Sequence, residues 1–126
     1  VVVDHMGRPD VTQPVDGPAF SGFVRMMEEH PDIWVKVTCP ERLSKAGPPA
    51  LGGERHAYRD VVPFGHLLVE RFPDRVLWGT DWPHPNLKNH MPDDGLLVDY
   101  IPQIAPTEAL RHKLLVDNPD TLYWRK

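Results

Sequence analysis

Three residues suited to acid–base chemistry and anion binding stand far apart in the chain: His5, Arg42 and Asp81. Histidine exchanges protons near neutral pH, arginine is a permanent cation, and an aspartate carboxylate can accept a proton. Each of the three follows, directly or within a few residues, a short run rich in β-branched and aromatic residues. If these runs are parallel strands, the three side chains meet at one rim of the sheet and form a site for proton transfer on an anionic substrate.

Asp81 is the best candidate for the base. It follows a run of apolar and small residues and precedes Trp82-Pro83. We therefore expect its side chain to lie in a dry pocket beside an aromatic wall, where burial raises the pKa of a carboxylate.

Each of the three residues also has a purely structural interpretation. Asp81 can cap a loop by bonding nearby backbone N–H groups, and His5 can be a hydrogen-bonded histidine at a strand end. Arg42 can form a surface ion pair with Glu41 or Asp60. The types of residue alone leave these alternatives open.

Other polar and aromatic residues give weaker signals. His84 and His90 are six residues apart in a proline-rich loop, which is not a helical spacing for metal ligands. Cys39 has no histidine close to it in sequence, and we interpret it as a small buried residue. Three tryptophans stand within apolar runs and are expected to pack in the core: Trp34, Trp78 and Trp124.

The elements that must position these residues alternate along the chain. Consecutive apolar residues predict buried parallel strands over residues 1–4, 33–38 and 76–80. Helical patterns cover residues 18–30 and 58–71, with Pro18 at the first helical position and Pro73 as a stop. Closing helices are predicted over 95–104, interrupted by Pro102, then over 107–116 with Thr107 as N-cap, and over 119–124. This order predicts βαβ units with right-handed crossovers.

The length of the chain limits which folds it can form by itself. A complete eight-stranded α/β barrel needs about 250 residues, whereas this chain has 126. It begins inside an apolar run and without an initiator methionine, so we expect a truncated chain whose missing strands close the sheet. A free-standing small α/β domain is the alternative.

Composition excludes several classes of function. Apolar residues make up 40% and charged residues 25%, as in a folded globular domain. The net charge of −4 argues against binding of nucleic acid, which requires a positively charged surface. No apolar run approaches the roughly 20 residues that are needed to cross a membrane. A single cysteine favours the reducing cytoplasm. We expect a small diffusible substrate, and the oligomeric state is open.

Four segments together carry a family resemblance. They are Asp4-His5-Met6-Gly7-Arg8, Trp34-Val35-Lys36-Val37-Thr38-Cys39-Pro40-Glu41-Arg42, Leu77-Trp78-Gly79-Thr80-Asp81-Trp82-Pro83-His84-Pro85-Asn86 and Leu114-Leu115-Val116-Asp117-Asn118-Pro119. They resemble the 2-pyrone-4,6-dicarboxylate hydrolase (lactonase) family of the amidohydrolase superfamily. The final-strand segment is shared with metal-dependent relatives, whereas the Thr-Cys-Pro-Glu-Arg run points to the lactonases, because a dicarboxylate substrate needs a guanidinium.

The resemblance implies a fold and a reaction. Residues 1–126 would form one partial domain, the C-terminal part of a distorted (β/α)8 TIM-type barrel, with about three βα units. The parent enzyme would reversibly hydrolyse the pyrone dicarboxylate lactone in bacterial breakdown of lignin-derived aromatics. The isolated fragment is expected to be inactive.

The resemblance also implies roles for the three residues. Asp81 would be the catalytic base and His5 a catalytic donor to the oxyanion, while Arg42 would bind a substrate carboxylate. No cofactor is expected, since the family works without a metal. The alternatives are a metal-dependent decarboxylase or lactonase, in which His5 and Asp81 bind one zinc ion, and a non-catalytic α/β fragment.

Overall fold

The computed structural model describes residues 1–46, 58–85 and 91–125. Within these ranges, three short strands form one parallel sheet: β1 (Val2–Val3), β2 (Trp34–Lys36) and β3 (Val76–Leu77). β2 lies between the other two and pairs with both in parallel. The predicted strand–helix–strand order and the parallel α/β class are confirmed, although each strand is shorter than the run that predicted it.

Most of the helices surround this sheet at the predicted places. Their bounds are α1 (Pro18–Glu29), α2 (Pro40–Leu43), α3 (Val62–Arg71), α4 (Asp94–Asp99), α5 (Ile101–Ile104) and α6 (Glu108–His112). Short 3₁₀ turns occupy His5–Gly7 and Arg59–Val61, and π-helical turns occupy Lys113–Asp117 and Asp120–Trp124. The predicted helix over 95–104 is divided at Tyr100, just before Pro102. The side chain of Thr107 accepts a hydrogen bond from the backbone N–H of Leu110 and caps α6, as predicted.

The core lies between the sheet and the helices. Val35 and Val76 are fully buried and belong to one hydrophobic core with Met27 of α1 and Leu68 of α3. Burial of these faces is the main term that stabilises the sheet. Trp124 does not join them, because 78% of its surface is exposed. Its predicted place in the core is wrong.

Polar side chains fix the beginning of β3. The side-chain amide of the buried Asn118 donates to the carbonyl of Pro73 at 2.7 Å and to that of Val76 at 2.9 Å. Arg75 donates from one nitrogen to the carbonyl of Ile33 and from another to that of Met27. These bonds tie the strand to the last helical turns and to the end of α1, so they set the position at which β3 begins.

The helices α3 and α5 approach closely at Gly65. A Cβ atom at this position would lie 2.6 Å from Oη of Tyr100 and 2.8 Å from Cγ2 of Ile104. The absence of a side chain therefore permits the packing of these two helices.

None of the helices in the described ranges is long and apolar enough to span a bilayer.

Candidate active site

The three strand ends converge on one rim of the sheet, each through a residue with left-handed backbone. His5 follows β1, Cys39 lies just beyond β2, and Asp81 lies beyond β3, with φ values of 53°, 59° and 64°. Such a conformation is uncommon outside glycine and costs about 1–2 kcal/mol per residue in an L-amino acid. It turns each side chain out of the strand direction, and the three turns bring the side chains together.

Asp81 is the centre of the site. Its Oδ2 accepts a hydrogen bond from Nη2 of Arg42 at 2.7 Å and another from Sγ of Cys39 at 3.0 Å. Its Oδ1 faces Nε2 of His5 across 4.0 Å. One carboxylate oxygen is therefore anchored by two donors, while the other is turned toward the histidine.

His5 is held from the neighbouring strand. Its Nδ1 lies 2.7 Å from Oγ1 of Thr38, and its Nε2 lies 3.7 Å from Sγ of Cys39. The contact with the threonine fixes the plane of the imidazole, and Nε2 remains directed at Asp81. The structure thus brings His5, Arg42 and Asp81 together, and it adds Thr38 and Cys39, which the sequence interpretation did not include.

The electrostatics of Asp81 differ from the expectation. Burial opposes the charged form, but the thiol of Cys39, the guanidinium of Arg42 and His5 together outweigh it and hold the pKa of Asp81 below its ordinary value of 3.8. The expected raised pKa is wrong, because donors on Oδ2 stabilise the anion. Asp81 is therefore ionised at neutral pH and ready to accept a proton.

The thiol of Cys39 is shifted in the opposite direction. Burial first, and then its hydrogen bond to Asp81, raise the pKa of Cys39 far above its ordinary value. Only 1% of the residue is exposed, as expected for a small buried residue. The group is therefore a protonated donor to Asp81 and not a nucleophile.

A cavity of about 340 Å³ opens in front of the site, and both His5 and Asp81 line it. Its other walls include Thr38, Lys36 and Tyr123. Trp82 does not form the expected aromatic wall, since it is 74% exposed. The site is a partly polar cavity and not a dry aromatic pocket.

Arg42 pairs with neither of the two surface partners considered from the sequence. Its guanidinium, 20% exposed, is in contact with Asp81, whereas Asp60 accepts a hydrogen bond from Ser44. Nε of Arg42 is buried and has no hydrogen-bond partner among the described residues. Arg42 thus belongs to the cluster at the rim.

A second polar cluster adjoins the first. His84 is buried, with Nδ1 at 3.3 Å from Oε1 of Glu41 and Nε2 at 2.9 Å from Oδ1 of Asp94. No local pattern in the sequence indicates this cluster, because its members are 43 and 10 residues apart. The pairing of His84 with His90 lies outside the described residues.

The rim carries ligand types of a zinc site: His5, Cys39 and Asp81 each offer a ligand atom, all within 4.8 Å of one another. Nitrogen, sulfur and oxygen are all zinc ligands. In this structure, however, the thiol of Cys39 and Nη2 of Arg42 both donate to Oδ2 of Asp81. Cys39 and Asp81 are thus hydrogen-bonded to each other and to Arg42 instead of being directed at a common ion, and no step of the chemistry below passes through a metal.

Comparison with known proteins gives one family and several relatives. Residues 1–125 match the family model described as amidohydrolase. The chain is 71% identical to a 2-pyrone-4,6-dicarboxylate hydrolase of Comamonas testosteroni over 98% of its own length and 41% of that protein. It is 42% identical to a 4-sulfomuconolactone hydrolase of Rhizobium radiobacter, over 98% of the chain and 39% of the relative. The chain therefore spans about two fifths of the length of these relatives.

Solved structures show the same fold. The apo crystal structure of Atu3138 from Agrobacterium tumefaciens superposes with a TM-score of 0.77 and 30% identity, over 99% of this chain and 42% of that protein. A Burkholderia multivorans amidohydrolase with bound zinc matches at a TM-score of 0.69 and 19% identity, over 97% of this chain and 43% of that protein, and shows the fold alone. The described sheet and helices correspond to part of a TIM-type barrel.

Proposed function

Because this chain belongs to the amidohydrolase family, we propose that the protein it is part of opens the lactone ring of 2-pyrone-4,6-dicarboxylate by hydrolysis. Residues 1–126 would be the C-terminal part of its barrel domain, and the substrate a small dicarboxylate lactone. The observation that carries the proposal is the carboxylate of Asp81 held between Arg42 and His5 at the rim of the parallel strands. Catalytic groups of this fold lie at that rim.

In the proposed reaction Asp81 is the general base. A water molecule attacks the lactone carbonyl carbon while Oδ1 of Asp81 takes one of its protons. The carbonyl oxygen becomes an oxyanion, and His5 donates a hydrogen bond to it, an interaction that contributes several kcal/mol in enzymes of known mechanism. Collapse of the intermediate breaks the ring C–O bond, and the leaving enolate oxygen takes the proton from Asp81. The net reaction consumes one water and produces an enol and a new carboxylic acid, which releases its proton to solvent at neutral pH.

Arg42 supplies the recognition of charge. It retains the ion pair with Asp81 through Nη2, and because its Nε is buried it offers Nη1 to a carboxylate of the substrate. The proposed reaction needs no metal, and a cytoplasmic enzyme of aromatic breakdown is the biological setting that this chemistry suggests.

The test is an Asp81→Asn substitution in the full-length protein. Asparagine keeps the shape and tolerates left-handed backbone but cannot accept the proton. We expect the variant to bind substrate while kcat falls by at least about 10²-fold. Asp74→Asn, the same change at an exposed carboxylate, serves as control. Both 2-pyrone-4,6-dicarboxylate and 4-sulfomuconolactone are assayed, with and without a chelator.

Three results would contradict the proposal. Near-normal turnover by Asp81→Asn removes this residue as the base. Loss of wild-type activity on chelation assigns the protein to the metal-dependent relatives. If the enzyme turns over 4-sulfomuconolactone but not 2-pyrone-4,6-dicarboxylate, the proposed substrate is wrong.

A further inference from the structure

The buried cluster beside the rim has no part in the reaction described above. The side chains of His84 and Glu41 are 1% and 0% exposed, and that of Asp94 is 48% exposed. Both ring nitrogens of His84 face carboxylate oxygens, so the imidazole lies between α2 and the first turn of α4. This cluster joins α2, the turn after β3 and the beginning of α4.

Two members of this cluster are connected to Arg42 and Asp81, the ion-paired residues of the active site. Glu41 immediately precedes Arg42 on α2. His84 closes a tight turn that begins at Asp81, because its backbone N–H donates to the carbonyl of Asp81 at 2.7 Å. The same two segments are thus bridged twice, once by Arg42 and Asp81 at the rim and once by Glu41 and His84 in the interior.

The interior bridge is a poor device for stability alone. A buried carboxylate loses its hydration, and a buried ionic pair is commonly no more stabilising than apolar residues of the same volume. Oε2 of Glu41 has no hydrogen-bond partner among the described residues, and burial raises the pKa of this carboxyl group. What the bridge does supply is a fixed orientation of the turn after β3, because a hydrogen bond has a preferred geometry that apolar packing lacks.

We propose that His84, held between Glu41 and Asp94, is a positioning residue that fixes the turn presenting Asp81 to Arg42. This role rests on the proposed function, in which Asp81 is the base and Arg42 binds a substrate carboxylate. The position of the turn sets where these two groups lie relative to each other. His84 itself does not touch the substrate. It sets the distance between two groups that do.

The first experiment replaces Glu41 with leucine in the full-length enzyme. Leucine fills a similar volume, so the melting temperature is expected to stay within a few degrees of the wild type or to rise. Without its interior partner the turn moves away from α2, and kcat/KM is expected to fall at least tenfold, with kcat lowered and KM raised. A folded Glu41→Leu enzyme with both constants within twofold of the wild type overturns the proposal.

The second experiment changes Asp94, the exposed member of the cluster, and tests the proposal even if Glu41→Leu does not fold. Asp94→Ala removes the 2.9 Å contact to Nε2 of His84. Its matched control is Glu70→Ala, which removes a carboxylate at 3.0 Å from Nε2 of His66 on the surface of α3. We expect kcat/KM to fall at least threefold in Asp94→Ala only. Equal constants in the two variants contradict the role of His84.

A structural measurement separates this proposal from the proposed function. In a crystal structure of Glu41→Leu, or of Asp94→Ala, the distance from Nη2 of Arg42 to Oδ2 of Asp81 is expected to exceed the present 2.7 Å. If the wild-type enzyme opens no lactone, the proposed function fails while this distance still tests the positioning role. If the distance is unchanged, the positioning role fails whatever the substrate.

Discussion

At the scale of single residues, the two oxygens of the Asp81 carboxylate have different surroundings. Oδ2 carries both donors, Arg42 and Cys39, and Oδ1 is directed at His5. Donors on a carboxylate stabilise its charged form and lower its pKa. A base held in this way is weaker as a proton acceptor, but it is fully ionised and fixed in orientation at neutral pH.

The hydrogen bond from Cys39 can be tested by its effect on pH dependence. It lowers the pKa of Asp81, so Cys39→Ala is expected to raise that pKa. In the proposed mechanism only the carboxylate form is active, so the fall in kcat at acidic pH should then begin at a higher pH than in the wild type. The measurement is kcat of the full-length enzyme between about pH 3 and 7, around the ordinary range of an aspartate.

Cys39→Ser is the control for this change. Serine keeps an O–H donor at nearly the same place, so the acidic fall in kcat is expected to stay near its wild-type position. If Cys39→Ala and Cys39→Ser have the same pH profile as the wild type, the thiol does not act on Asp81.

At the scale of elements, the sequence predicted those features whose causes are local. Consecutive apolar residues located the three strands, and Pro18 and Thr107 located the beginnings of α1 and α6. The convergence of the strand ends then followed from parallel topology. These local rules were sufficient to bring His5 and Asp81 to one rim.

The features that escaped prediction depend on contacts between distant segments. Cys39 meets His5 across 34 positions of sequence, and Glu41 meets His84 across 43. The periodicity of apolar residues along the sequence does not indicate contacts between such distant positions. The left-handed backbone of Asp81 was also missed, and with it the side-chain direction that places Oδ2 against two donors and lowers the pKa.

The close approach of α3 and α5 gives a prediction about two helical glycines. Replacing glycine by alanine inside a helix is ordinarily stabilising by about 0.5–1 kcal/mol. At Gly22 of α1 an added Cβ meets nothing within 4 Å, so Gly22→Ala is expected to show this gain. At Gly65 the Cβ would collide with Tyr100 and Ile104, so Gly65→Ala is expected to destabilise the protein by roughly 1–3 kcal/mol.

Denaturant unfolding of the two full-length variants measures both effects, with the wild type as reference. Because the chemical change is identical, the difference in sign isolates the packing of α3 on α5. A stabilising Gly65→Ala would show that this packing can relax around an added methyl group.

At the scale of the whole molecule, the sheet is open within the described residues. β1 and β3 each have one edge without a strand partner there, and Trp34 and Lys36 on the central strand are only half-buried. Open edges and partly exposed sheet faces are normally covered or closed in stable folds. The relatives are about two and a half times as long as this chain, a length at which a barrel can close.

This leads to a prediction about the chain of residues 1–126 produced alone. It is expected to lack lactone hydrolysis, since it contains only about two fifths of the length of its relatives, and to bind a fluorescent hydrophobic dye or self-associate through its exposed apolar groups. Turnover is compared with that of the full-length enzyme, and association is measured by sedimentation. A monomeric chain that keeps more than about one hundredth of the activity would contradict it.

The left-handed backbone at the three strand ends has a consequence for how such an enzyme can diversify. Valine, isoleucine and threonine are strongly disfavoured at positive φ, whereas aspartate, asparagine, histidine and glycine are tolerated. The residue types tolerated at positions 5, 39 and 81 are therefore restricted by the backbone, whereas the other residues that line the cavity do not have positive φ. Under the proposed function, a change of lactone specificity is therefore expected to come from substitutions in the walls of the cavity, with His5, Cys39 and Asp81 retained.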